Sequence, residues 1–390
     1  ILIDFGGFKV FDSATVDTNI LLTQNSAPGK PDGRACSIKK DFHKGDSITK
    51  YVAEHGIPLP AFSAESWIIS DDSAQKLKAK IERIGTPLKD WDVSIYRGIL
   101  TGYNEAFIIS GAKKDELIAA DPRSAEIIKP ILRGRDIKRY KAEFADKWLL
   151  FIPWHFPLHK DTNISGASLE AEEEFAKQYP AIYRHLLSYK EQLSRRNKAE
   201  TGIRYEWYAL QRCAATYYTE FEKEKVVYGQ FRKGEFHFDC TGFFLSSNEY
   251  MIVGNDKKFQ DYMKYLTAIL NSRTPYYHAS QIMNSLSGNT TIAQKSSFVM
   301  IPIPIIEKDA MRPFENIVEM IICYKAKNHS TQDLESQIDL MVYKLYELEY
   351  SEAKLIDPDL DSVLASFGLS AQDFDRMTIE QLGNLSLNNV

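Results

Sequence analysis

Two glycine-hinged runs constrain this chain most. They are Tyr96-Arg97-Gly98-Ile99-Leu100-Thr101-Gly102-Tyr103-Asn104 and, about thirty residues on, Ile131-Leu132-Arg133-Gly134-Arg135-Asp136-Ile137-Lys138-Arg139-Tyr140. Each sets glycine between short apolar stretches, a pattern of brief strands ending in tight turns that no long helix can cross. The turns carry arginine, whose planar fork clamps phosphate or reads guanine edges, and lysine, which supplies point charge. Tyrosine adds a ring that stacks on bases. A competing reading makes Arg133-Gly134-Arg135 a solvated surface turn with an ion pair to Asp136.

The remaining pattern alternates between periods of two and of about 3.6 residues. Strands are expected in 1–24, at 105–110 and 148–152, and in three short runs within 225–255, with Gly234 at a hairpin turn. Helices are expected at 73–84, 115–120, 259–271, 313–327 and 332–346, and over 168–195 with a restart at Pro180. Residues 25–47, rich in Pro, Gly, Asp and Lys, read as a loop. Val299–Ile306 reads as an edge strand because Pro302 and Pro304 interrupt it. The predicted class is α/β (α+β), with a mixed α/β middle and a helical C-terminal stretch. The divisions fall at 1–25, 26–85, 86–310 and 311–390.

At 390 residues, 44% hydrophobic and 26% charged, the composition is that of a globular protein of more than one unit. No apolar stretch is long enough to cross a bilayer and no signal segment opens the chain, so a cytoplasmic protein without a membrane partner is expected. The chain begins inside the apolar run Ile1-Leu2-Ile3 without Met and is read as part of a longer protein. Cys36, Cys213, Cys240 and Cys323 are scattered and compose no zinc site. The net charge of −5 is unevenly spread: residues 331–390 hold twelve acidic and three basic side chains, a balance of −9, which leaves +4 for the rest. Binding follows the local field more than the total charge.

A second basic and aromatic segment contains Arg195, Arg196, Lys198, Arg204, Tyr205, Trp207, Tyr208 and Arg212. Trp207 is read as core, Tyr208 is left open between core and groove, and Arg204 and Arg212 are read as nucleic-acid contacts. A polar stretch, 281–289, offers Asn284 and Asn289, amides of the kind that read adenine. Catalytic constellations are missing. Pro153 and Pro157 exclude a helix presenting His155 and His159 together, Glu172-Glu173-Glu174 reads as a solvated helix face, and no phosphate loop or zinc-protease motif occurs. The only Glu-x-Lys, Glu352-Ala353-Lys354, lacks the acidic groups a nuclease centre needs before it.

In their order, Tyr96–Phe107 and Ile128–Ile137 resemble the DNA specificity domain of TaqI-like adenine methyltransferases, in particular those in single-chain type IIG restriction–modification enzymes of the Eco57I kind. Residues 8–11 with 14–21 look like the closing strands of the methyltransferase fold. The stretch from Leu334 to Glu352 looks like the helix that closes many such enzymes. The resemblance implies that 1–25 ends a methyltransferase domain, 26–85 connects, 86–310 recognises the target and 311–390 braces it. It implies double-stranded DNA as partner, together with a methyltransferase domain preceding residue 1. S-adenosylmethionine, and Mg²⁺ for any cleavage, would serve the full-length parent, since this sequence has neither a Pro-Pro motif nor a Phe-x-Gly-x-Gly loop. The implied DNA contacts are Arg97, Tyr103, Lys129, Arg133, Arg135, Lys138, Arg139, Arg195, Arg196, Arg204, Arg212, Asn284 and Asn289, with Arg133, Arg135 and Asn284 reading bases. The alternatives are a phage-defence methyltransferase without a linked nuclease, a protein-interaction scaffold and a free-standing metal-dependent nuclease.

Overall fold

The computed structural model describes the chain apart from residues 6–7, 9, 12–17, 24–32, 39–40, 59–71, 230–233, 283–284, 287–289, 292–297 and 386–390. Chain contacts divide it into two units, each discontinuous in sequence.

The first unit comprises 1–90, 273–305 and 339–390. Leu2–Asp4 pairs antiparallel with Asn19–Leu21 and parallel with Arg34–Ser37, which in turn pairs with Ile57–Pro58. Arg34–Ser37 lies where a loop was expected. It buries Ala35 and Cys36, side chains too small to raise an apolar signal, and Cys36 joins the cluster of Ile3, Phe5 and Tyr51. Helix Asp72–Ile84 buries Leu77 and Ile81, as their spacing requires. Of the strand expected at 299–306, only Pro302–Ile303 pairs, with Thr86–Pro87. Beyond the two expected tail helices come Tyr350–Ile356, Leu360–Ser366, Ala371–Arg376 and Ile379–Gly383. Capping boxes begin three of these four, so end chemistry rather than a long apolar stripe defines them. Arg273 ties the unit together, its Nε on Asp339 at 3.2 Å and its Nη1 on Asp357 at 2.9 Å.

The second unit comprises 91–272 and 306–338. One four-stranded sheet runs in the order Phe236–Asp239, Lys225–Gly229, Glu249–Gly254, Val93–Arg97, every pair antiparallel. The other runs Phe244–Leu245, Ile128–Leu132, Lys147–Leu150, Ile108–Ser110. The two share a core that includes Ile99, Ile131, Leu132, Leu149, Val227, Leu245 and Met251. Pro180 divides the expected 168–195 helix, standing at the first position of Pro180–Leu187, where a missing N–H costs nothing. Asn104–Phe107 is one helical turn rather than the start of a strand, and it buries Ala106 and Phe107. Trp207 is a core residue, as expected, and Tyr208 is buried with it. The mixed α/β class with a helical C-terminal stretch is borne out. Among the described residues no helix is long and apolar enough to cross a membrane.

Candidate nucleic-acid interface

Gly98 is the hinge between the two sheets of the second unit. Up to Arg97 the chain pairs with Glu249–Gly254, and the Gly98 N–H donates to the Glu249 carbonyl at 2.9 Å. One residue later the Ile99 N–H donates to the Leu245 carbonyl at 2.7 Å, and Leu100 exchanges both main-chain bonds with Arg212. A Cβ on residue 98 would lie 2.0 Å from the Ser246 carbonyl oxygen and 2.5 Å from that of Leu245, so only glycine can cross here.

The second arginine turn reaches the same place. The Ser246 N–H donates to the Leu132 carbonyl at 3.0 Å, and Gly134 follows in the short helical turn Gly134–Asp136. Its N–H donates to the buried carboxyl of Glu249, and a Cβ at 134 would lie 2.7 Å from Glu249 Oε1. Both glycine-hinged runs therefore converge on Ser246-Ser247-Asn248-Glu249. Burial pushes the Glu249 carboxyl up to about 7, against hydrogen bonds from Ser246, Gly134 and Asn248 that favour its charged form.

This junction sorts the arginines by availability. Arg133 closes its fork on Asp136, Nε to Oδ2 at 2.8 Å and Nη2 to Oδ1 at 2.9 Å, while its main-chain N–H adds a third bond at 2.9 Å. That hydrogen-bonded pairing raises its pKa. The ion-pair reading of the turn thus holds for Arg133, which shapes the loop. Arg135 is exposed and makes no ion pair with a described residue. Arg97 is exposed too, but its Nε donates to the Ser247 carbonyl and its Nη2 to Asn248 Oδ1 at 3.3 Å. Arg212 is exposed beside Tyr217, whose ring stacks on Tyr96 at 4.4 Å and whose hydroxyl donates to the Arg97 carbonyl at 3.0 Å.

The other expected contacts lie on separate elements. Lys129 pairs with Glu222 at 3.2 Å and Arg139 with Glu335 at 2.6 Å, while Lys138 is half-buried. Tyr103 precedes the helical turn Asn104–Phe107, its ring 6.1 Å from that of Tyr189. Arg195, bound to Glu191 at 2.6 Å, and Arg204, 4.0 Å from Glu200, are exposed.

Arg196 requires a correction. It is 6% exposed, and its guanidinium donates to the carbonyls of Leu193, Thr101, Trp207 and Ala209 at 2.5–3.0 Å. Burial lowers its pKa to about 10, which leaves it charged at neutral pH. It fastens the chain around itself and offers no donor to a ligand. Glu172 is likewise no solvated face, since Oε1 accepts Tyr183 Oη at 2.9 Å and Trp207 Nε1 at 2.7 Å. His155 Nδ1 pairs with Glu206 at 2.9 Å. Among the described residues no three His, Cys, Asp or Glu stand together as metal ligands. Asn284 and Asn289 lie outside the described residues.

Asn248 was missed by the sequence reading. It is exposed at the centre of the junction, with its Oδ1 fixed by Arg97. The polar run 246–249 between apolar neighbours was its signal, hidden because 243–253 reads as nearly continuous strand.

Residues 129–303 match the family model of the TaqI-like C-terminal specificity domain, and over that stretch the resemblance is borne out. The type II methyltransferase M.MjaIV of Methanocaldococcus jannaschii is 25% identical over 252 residues, 63% of this chain and 76% of the relative. Two solved restriction–modification enzymes align at lower identity. The type IIL enzyme MmeI, in complex with DNA, gives 13% identity and a TM-score of 0.39 over 77% of this chain and 36% of its own. The type IIG endonuclease BpuSI gives 12% and 0.41 over 75% and 33%. The chain thus spans about a third of the length of those two enzymes.

Proposed function

We propose that this chain is the DNA-reading portion of an adenine-N6 methyltransferase in a type II restriction–modification system, of the single-chain type IIG kind. The observation that carries the reading is the convergence of two arginine-bearing turns on Ser246–Glu249, inside the stretch that matches the specificity domain. A relative named as a type II methyltransferase supports the enzyme class.

In this reading Arg135, Arg212 and Asn248 face base edges. Arginine is suited to guanine, and Asn248 can still donate through Nδ2 while Arg97 fixes its Oδ1. Arg97, Lys129, Lys138, Arg139, Arg195 and Arg204 meet phosphates, and Tyr103 packs on sugar or base. Arg133 shapes the turn. Residues 1–25 end a methyltransferase domain, 26–85 connect, 86–310 recognise and 311–390 brace. S-adenosylmethionine and methyl transfer, with Mg²⁺ for any cleavage, belong to catalytic segments of the parent. The target adenine must leave the helix to reach them, because its N6 is enclosed in the duplex. The setting is cytoplasmic.

Selection of random duplexes by this chain, followed by sequencing, tests the proposal. One short motif should be enriched, and the enrichment should vanish when Arg135 and Arg212 are both replaced by alanine. Binding without enrichment, or no binding at all, overturns it.

A further inference from the structure

Ile203 and Leu169 are the two most exposed large apolar side chains among the described residues, at 63% and 79%. Leu169 lines a cleft, and Ile203 follows a residue that lines it. Ala167, Ser168 and Leu169 form one wall of a cleft of about 240 Å³, and Thr201 and Gly202, immediately before Ile203, belong to the other. Gly166 approaches so closely that a Cβ there would lie 2.7 Å from the Ile203 carbonyl oxygen. A lone exposed isoleucine needs no explanation, but Leu169 in the cleft wall and Ile203 directly after a residue of that wall mark a surface.

The tip bearing Ile203 is rigid. The N–H groups of Ile203 and Arg204 both donate to the Glu200 carbonyl, at 3.1 and 2.8 Å, and that of Gly202 donates to Tyr205 at 2.9 Å. Thr201 Oγ1 donates to the Arg196 carbonyl at 2.6 Å, and the Arg196 guanidinium anchors the base of the loop. Tyr205 is stacked on Trp154, ring centres 5.3 Å apart and planes at 4°.

Two exposed cations stand at the tip, with Glu200 near one of them and the exposed Glu170 next to Leu169. Arg204 is 67% exposed and only loosely held by Glu200 at 4.0 Å, and Lys198 is exposed with no ion-pair partner among the described residues. The carboxylates in the cleft are committed inward. Glu206 accepts the His155 and Ser168 N–H groups at 2.8 and 2.9 Å, and Glu172 accepts Tyr183 and Trp207. What the tip presents outward is an aliphatic side chain, with Arg204 next to it and Lys198 on the same loop.

We infer that Ile203 is a wedge that enters a DNA base step and holds it partly unstacked while Arg204 and Lys198 take the flanking phosphates. The inference rests on the DNA-reading function proposed above. Aliphatic side chains inserted between base pairs kink and open the step, and neighbouring cations hold the strained backbone. A protein that opens a step in this way favours DNA in which stacking is already weakened, because less unstacking remains to be done.

Fluorescence anisotropy at low salt, with the 390-residue chain, tests it on two duplexes that differ only by one central mismatch, with 2-aminopurine beside it. Wild type should favour the mismatched duplex by about tenfold and brighten 2-aminopurine on binding. Ile203→Ala should bring the two affinities within about twofold of each other and abolish the brightening, with unchanged thermal unfolding. Ile203→Phe should retain both effects, and Arg204→Ala should weaken both duplexes alike. Equal wild-type affinities, or an Ile203→Ala variant that keeps the preference, overturn the wedge and leave the DNA-reading function standing. If wild type binds neither duplex, both fall.

Discussion

The carboxyl of Glu249 accepts the main-chain N–H of Gly134, so a buried acid supports the arginine turn from beneath. Glu249 is 4% exposed, and its Oε2 also accepts the Ser246 hydroxyl. Asp136, committed to Arg133, adds a second negative charge nearby and helps keep Glu249 protonated. One acid holds the arginine and the other holds the glycine.

That support carries a pH signature. The folded-state pKa of Glu249, about 7, lies above its ordinary 4.5, so folding favours the protonated form. Stability from this group is complete below pH 4.5 and is lost as pH rises through 7, on the order of 3 kcal/mol in all. Glu249→Gln keeps an acceptor for Gly134 and should flatten that slope. Urea unfolding at pH 5 and pH 8 measures it, and an unchanged slope in the variant refutes the assignment.

Gly98→Ala should destabilise the chain by about 3 kcal/mol, since its methyl would meet main-chain atoms that cannot swing aside. Gly229→Ala is the control: its nearest neighbour, Gly134 Cα, is at an ordinary 3.7 Å, and its cost should stay under about 1 kcal/mol. Comparable losses in chemical denaturation would remove Gly98 from its role as hinge.

Arg133 and Arg135 should separate by experiment. Arg135→Ala should weaken binding to a selected duplex by about 1–3 kcal/mol while leaving unfolding within about 0.5 kcal/mol of wild type. Arg133→Ala should destabilise by about 1–3 kcal/mol, because it strands the Asp136 carboxylate. The reverse pattern would exchange their roles.

Replacing Arg196 with methionine should cost about 3–5 kcal/mol, because four inward carbonyls lose their donor. Calorimetry reads the loss. Where the variant remains folded, its DNA affinity should match wild type, and a selective loss of binding would restore Arg196 as a contact.

Much of this molecule was legible as a string of letters. Period and punctuation located the 225–254 strands, Pro180 divided its helix, and the arginine turns drew attention to the junction. What local pattern could not supply was the use of each cation. Arg196 and Arg204 stand eight positions apart with similar neighbours, yet one is enclosed by carbonyls and the other lies in solvent. Burial of that kind is set by Thr101 and Ala209, residues remote in sequence. Arg34–Ser37 escaped notice because Ala and Cys do little to mark a strand, and Asn248 because its meaning depends on Arg97 across the sheet. The family resemblance placed the segment; it did not say which side chains were free.

Gly98, Gly134, Arg133, Asp136 and Glu249 interlock through the backbone and through one another, while Arg135, Arg212 and Asn248 project from that frame. The outer letters can consequently be rewritten without redrawing the scaffold that displays them. Under the function proposed above, a lineage that needs a new target, or an engineer who wants one, has three positions at which to begin.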